Sequence, residues 1–146
     1  MILEKVEYKT LSSKQKEIYN FQIAASFLAG YGFNCIKLAD DWQGADFLAY
    51  HKDGKNTLKV QLKGRAMVQR SYIGKDLYMC FPVGANWYLI SHDELLELVS
   101  KTGKMQKTES WSRGAYSYPS PSRALLDDLR PFRLEPPKFE SVERDE

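Results

Sequence analysis

The chain has 146 residues, 43% hydrophobic and 27% charged, the proportions of an ordinary soluble globular protein. A formal net charge of only +2 removes any bulk polycationic drive toward nucleic acid, and no stretch is apolar enough for a signal peptide or a membrane span. The expectation is a reducing, cytoplasmic setting without a membrane partner, and one domain over residues 1–134 followed by an acidic tail over 135–146.

The first predicted element is a helix opening at Ser12 or Ser13. Ser12 and Gln15 have capping-box spacing, Ile18, Phe21, Ala25 and Leu28 form one apolar stripe, and Gly30 and Gly32 stop the helix. FNCIKL (33–38) reads as a short strand and ADDWQG (39–44) as a loop. Residues 44–65, GADFLAYHKDGKNTLKVQLKGR, read as a β-hairpin about Asp53-Gly54, a two-residue turn whose central residues both take positive φ. Opposed residues then have numbers summing to 107, so Asp46 faces Gln61 and Phe47 faces Val60. Alternation puts Ala45, Phe47, Ala49, Leu58, Val60 and Leu62 on a wholly apolar face. Asp46, Gln61 and Lys63 share the other face with Leu48, Tyr50 and Lys59.

LYMCFPV (77–83) and WYLI (87–90) read as two more strands around Gly84-Ala85-Asn86. SHDELLELVSK opens a helix capped by Ser91 or Asp93, with His92 as a cap or surface residue. Residues 102–119 carry no regular pattern, and a short helix runs from about Pro121 to Leu129 with Ser120 as its cap. Cys35 and Cys80 lie in apolar segments and read as buried free thiols. This order of elements gives a mixed α/β fold with a central mixed sheet of about five strands flanked by helices.

Charge is unevenly spread. Lys52, Lys55, Lys59, Lys63, Arg65, Arg70 and Lys75 stand against Asp53 alone, which suits either a phosphate-facing surface or a solvated lysine face. Asp46 and Gln61, a carboxylate and an amide oxygen across a hairpin, can share one hard cation such as Mg²⁺ or Mn²⁺, with the Leu62 backbone carbonyl as a third oxygen. Lys63, two residues beyond Gln61, is set to orient a water and balance charge at a phosphate. Arg65, Arg70 and Lys75 suit phosphate contacts; Trp42 and Gln43 either border the substrate or, for Trp42, pack into the core. The segment WSRGAYSYPSPSR (111–123) either lies against nucleic acid or packs over the sheet.

A leading helix, then Asp, a hairpin and (Asp/Glu/Gln)-x-Lys, here Asp46 and Gln61-Leu62-Lys63, resembles the PD-(D/E)XK nuclease superfamily. The Gln-x-Lys form is similar to type IV restriction enzymes, Holliday-junction-resolvase-like proteins and intron-associated homing endonucleases. The resemblance implies a restriction-endonuclease-like fold and Mg²⁺-dependent cleavage of DNA, with no small-molecule cofactor. Asp46 and Gln61 would bind the metal and Lys63 would be the catalytic lysine. A first-helix acid completes the metal site in many such enzymes; the position here is Glu17 or Gln22. Cleavage of a duplex by one-site domains implies a homodimer or higher homo-oligomer. Two other readings stay open: a nucleic-acid-binding relative with a weakened or inactive site, and a protein-interaction module.

Overall fold

The computed structural model describes residues 1–138; residues 139–146, most of the expected acidic tail, lie outside the described residues. The predicted capping box opens α1 (Ser13–Ala29): Ser12 Oγ accepts the Gln15 N–H at 3.2 Å and Gln15 Oε1 accepts the Ser12 N–H at 2.8 Å. Ala24 and Leu28 are buried with Phe21 beside them, but Ile18 is exposed, contrary to the expected stripe. The cause is length. The C-terminal half of α1 docks on the sheet, while its first turns border an open cleft.

The strands are β1 (Phe33–Trp42), β2 (Ala45–His51), β3 (Thr57–Leu62), β4 (Ala66–Gln69), β5 (Leu77–Val83), β6 (Asn86–Ser91), β7 (Ala115–Tyr118) and β8 (Arg133–Leu134). The remaining helices are α2 (His92–Lys101), α3 (Glu109–Ser112) and α4 (Arg123–Leu129). The fold is mixed α/β, as the order of elements predicts. The central sheet has six strands rather than about five, in the order β1-β2-β3-β5-β6-β8, with β3 and β5 parallel and every other pair antiparallel. A separate pair, β4 and β7, takes up part of the 102–119 stretch that carries no pattern in the sequence. Four-residue strands are too short for alternation to register. Ser122, not Ser120, caps α4, its Oγ accepting the Leu125 N–H at 3.2 Å.

Alternation along β5 divides the core. Leu77, Met79 and Phe81 pack with Leu95 and Val99 of α2 and Leu125 and Leu129 of α4, whereas Cys80 joins Phe47, Val60 and the α1 residues. The central strands β3 and β5 are therefore covered on both faces. Cys35 and Cys80 are free; burial pushes the Cys35 thiol up to about 11 and the Cys80 thiol higher still, so both stay protonated. His92 is fully buried rather than superficial: Nε2 accepts the Gln69 N–H at 3.0 Å, and Nδ1 lies 3.0 Å from Asp93 Oδ1. An accepting Nε2 leaves the ring proton on Nδ1, donated to Asp93, so α2 holds the edge of β4 through one imidazole. Among the described residues no helix is long and apolar enough to cross a membrane.

The β2–β3 register is the predicted one, with Phe47 opposite Val60 and Tyr50 opposite Thr57. The turn differs. Gly54 has φ +70°, but Asp53 is not left-handed, and the His51 N–H closes onto the Asn56 carbonyl at 2.9 Å across a four-residue loop. The Asp53 carboxylate accepts the Lys55 N–H at 2.8 Å and the Asn56 N–H at 3.0 Å, bonds that hold it well below the usual carboxylate range. A depressed folded-state value stabilises above the ordinary aspartate value and is lost as pH falls toward the folded one. Asp53→Ala is therefore expected to melt below the wild type at pH 7, with the gap closing as pH drops below about 4 in paired thermal scans.

Candidate active site

The candidate site sits where two ladders give way around one residue. On one side, β1 pairs regularly with β2 as far as Lys37 opposite Phe47, and pairing resumes only at Trp42 opposite Ala45. Leu38–Asp41 thus oppose Asp46 alone, a bulge that bends β1 away from its partner. Gln43 (φ +52°) and Gly44 (φ +88°) form the two-residue turn at the tip, so the segment expected as a loop is a strand end and a tight turn. Gly44 is required twice over. Its φ is left-handed, and a Cβ there would meet the Tyr72 ring and Leu77 at 3.1 Å. Trp42 projects from this tip with 71% of its surface exposed, and Gln43 is exposed beside it.

On the other side, the β2–β3 ladder ends at Phe47 and Val60, and Asp46 and Gln61 are next in register. The Leu62 N–H donates to Asp46 Oδ2 at 2.9 Å, and among the described residues Oδ1 accepts no hydrogen bond. Gln61 is only 4% exposed, and its Oε1 has no hydrogen-bond partner among the described residues. Lys63 follows, half-buried, with its N–H on the Cys80 carbonyl at 3.0 Å. Burial lifts the Asp46 carboxyl above its ordinary value. The Leu62 N–H opposes that shift, the Asp41 charge adds to it, and Lys63 and Lys37 pull back.

Glu17 and Gln22 part company on α1. Glu17 is four residues before Phe21 on the docking stripe, and Gln22, five residues further on, is turned about 140° away and is exposed. Glu17 is not free, however: its Oε1 lies 3.2 Å from Lys37 Nζ and its Oε2 3.7 Å from Lys14 Nζ, and the Lys37 bond above all lowers its carboxyl. Lys16, Glu17 and Asn20 of α1 face Leu62–Gly64 across a cleft of about 290 Å³. Of the basic residues named for phosphate contacts, Arg65, Arg70 and Lys75 are all exposed. Arg70 lies with its guanidinium 4.4 Å from the Trp111 ring centre and its Nε donating to the Trp111 carbonyl at 3.0 Å. Trp111 and Tyr118 are buried, so the aromatic segment packs over the fold.

No family model matches the chain, and no curated protein matches it. Among solved structures it is similar to a bacterial homing endonuclease, I-Ssp6803I, with 17% identity over 84% of this chain and 86% of that one and a TM-score of 0.48.

Sequence reasoning missed Asp41, Lys37 and Tyr72. Lys37 carries a charge in an apolar strand, and Asp41 precedes a Trp-Gln-Gly turn; both were visible signals. Tyr72 was recognisable only from contacts, its ring against Gly44 and its phenol raised by burial and by the charges of Asp41 and Asp46. Among the described residues no three His, Cys, Asp or Glu side chains are grouped to hold a metal. The donors present are a carboxylate with one free oxygen and a buried amide oxygen with no donor, a hard, mixed set that fits Mg²⁺ or Mn²⁺ retaining several waters. A raised carboxyl destabilises the fold when ionised; the penalty is full above the raised value and vanishes below the unfolded one near 4. Asp46→Asn keeps an oxygen for the Leu62 N–H, so it is expected to melt above the wild type at pH 7 and to lose that advantage in acid. A mutant melting at or below the wild type at pH 7 contradicts this.

Proposed function

We propose that this chain is a Mg²⁺- or Mn²⁺-dependent endonuclease of the PD-(D/E)XK type that hydrolyses DNA phosphodiester bonds in restriction, homing or recombination and repair. The observation that carries the reading is the Gln61 oxygen, buried and unpartnered, next in register to the half-buried Asp46 with Lys63 two residues beyond. A buried amide oxygen without a donor costs about 1–3 kcal/mol, and a cation offsets that cost. Asp46 and Gln61 would hold the ion, with the Leu62 carbonyl as a further donor, while Glu17 is engaged by Lys37 and Lys14. When bound, the metal supplies Lewis-acid polarisation of a phosphate and a more acidic water. Lys63 would sit against the phosphate, orient the attacking water and balance the charge that develops.

The surroundings suit a polyanionic duplex. Arg65 and Lys75 are exposed for backbone contacts, which position without reading sequence. Trp42, exposed at a rigid tip beside the site, is placed to stack on or wedge against bases, with Gln43 beside it. Two such domains, paired as a homodimer or a higher homo-oligomer in the cytoplasm, would cut both strands. A second reading, a nucleic-acid-binding relative without cleavage, is favoured by the pairing of Glu17 with Lys37 and Lys14, which takes the helix acid out of ready use.

Incubation with supercoiled, linear and branched DNA in Mg²⁺ or Mn²⁺ separates the two. Wild type is expected to cut at least one substrate, and Lys63→Ala to cut it at least about 100-fold more slowly, the usual span for a group acting on the transition state. Equal cutting by both proteins sinks the enzymatic reading. Binding without cutting, weakened by Arg65→Ala or Lys75→Ala, supports the second one.

A further inference from the structure

We infer that Asp41, carried by the β1 bulge, is the second carboxylate of the cation site. The inference rests on the metal-dependent reading above and adds a ligand to it. Within the tip, Trp42 and Ala45 are partners, and Asp41 and Asp46 are the residues just beyond them on β1 and β2, where regular pairing stops. On the far side of β2, Asp46 and Gln61 are the residues just past the last paired ones, Phe47 and Val60. Asp41, Asp46 and Gln61 thus stand at neighbouring positions on β1, β2 and β3.

Like charges set close together on adjacent strands are destabilising, and a cation bound between them would offset that repulsion. Lys37 and Lys63 act on Asp46 only from beyond ion-pair distance. Asp41 Oδ1 accepts the Gly44 N–H at 2.8 Å, and among the described residues no lysine, arginine or histidine lies within ion-pair distance of either Asp41 or Asp46. Glu17 is the opposite case, held by two lysines. The unpartnered Gln61 oxygen points independently to a ligand, since a buried acceptor left without a donor calls for one. The tip is also held in place. Gly44 leaves no room for a Cβ against Tyr72, whose phenol is raised by burial first and then by the charges of both Asp41 and Asp46.

The arrangement replaces a helix acid by a hairpin acid. Asp41 would supply the negative charge next to Asp46, while Glu17 remains the partner of Lys37 and ties α1 to β1.

The test is calorimetric titration of the full chain with Mn²⁺ alone, for wild type, Asp41→Asn, Asp46→Asn and Glu17→Gln, with melting curves in EDTA. Asparagine keeps the oxygen that accepts the Gly44 N–H and removes only the charge. Expected are a loss of Mn²⁺ affinity of about tenfold or more in Asp41→Asn and in Asp46→Asn, affinity within about twofold of wild type in Glu17→Gln, and a higher melting temperature in EDTA for Asp41→Asn. Wild-type affinity in Asp41→Asn beside a loss in Asp46→Asn overturns the inference and leaves the metal-dependent reading standing. An Asp41→Asn protein that melts below wild type in EDTA also overturns it, because Asp41 is then a structural residue. A wild type that binds no Mn²⁺ overturns both.

Discussion

Strand β3 carries the constraint on which the rest depends. It is paired on both edges, antiparallel to β2 and parallel to β5, and covered on both faces by the two halves of the core. A strand in that position is expected to be apolar throughout. Leu58, Val60 and Leu62 obey this against α1, but on the other face the strand sets Gln61 beside Met79, sealed from solvent and with an acceptor unsatisfied. Burying a carbonyl oxygen without a donor works against folding by an amount comparable to a large part of one buried leucine's contribution. Such a residue is retained for what it does, not for what it stabilises.

The structure around it is arranged so that one side of Gln61 stays available. The β2–β3 ladder stops one residue short, the Leu62 N–H turns to the Asp46 carboxylate, and the β1 bulge opens the other edge of β2 at the same residue. Asp46 is thus the point where both of its neighbouring strands release it. In an unbroken ladder the Leu62 N–H would pair with a main-chain carbonyl rather than with the Asp46 carboxylate. The bulge, the Gln43-Gly44 turn and the close contact of Gly44 with Tyr72 together set the path of the β1–β2 tip beside Asp46. Tyr72 is braced in turn by the edge of the His92 ring at 5.5 Å, and His92 by Gln69 and Asp93, so the support reaches from the hairpin tip into α2.

The parts legible in the sequence are those that depend on period and pairing. The capping box, the register of β2 on β3 and the apolar face of that hairpin follow from alternation and a local turn signal, and they put Asp46 beside Gln61 before any coordinates. Period does not carry the phase of a helix against a sheet. Ile18 belongs to the same apolar pattern as Leu28, yet α1 docks through Phe21, Ala24 and Leu28, and that rotation brings Glu17 toward the cleft and sends Gln22 outward. Nor does it carry bulges, since Leu38–Asp41 occupy one partner's space without a glycine or proline to announce it. Ala45 shows the same limit: alternation groups it with Phe47, but beyond the bulge it packs with Tyr72 and the other half of the core. Asp41 is visible in the sequence as an acid before a Trp-Gln-Gly turn, but its nearness to Asp46 depends on the bulge and could not be read from period.

The basic run from Lys52 to Lys75 is resolved into parts by the same contacts. Lys59 spends its ammonium on the Lys75 carbonyl at 2.8 Å, and Arg70 is laid on Trp111, where its charge also fastens the small β4–β7 sheet to α3. Removing Lys59 or Arg70 would therefore change the scaffold as well as any phosphate contact, whereas Arg65, exposed in the link from β3 to β4, carries no such structural bond. Only Lys63 combines half-burial, a position past the end of the ladder and an influence on the Asp46 carboxyl. A lysine so placed is held by its backbone bond to Cys80 while its ammonium is left to answer charge at the sheet end. That placement is what the proposed role of Lys63, balancing charge at a phosphate, would require.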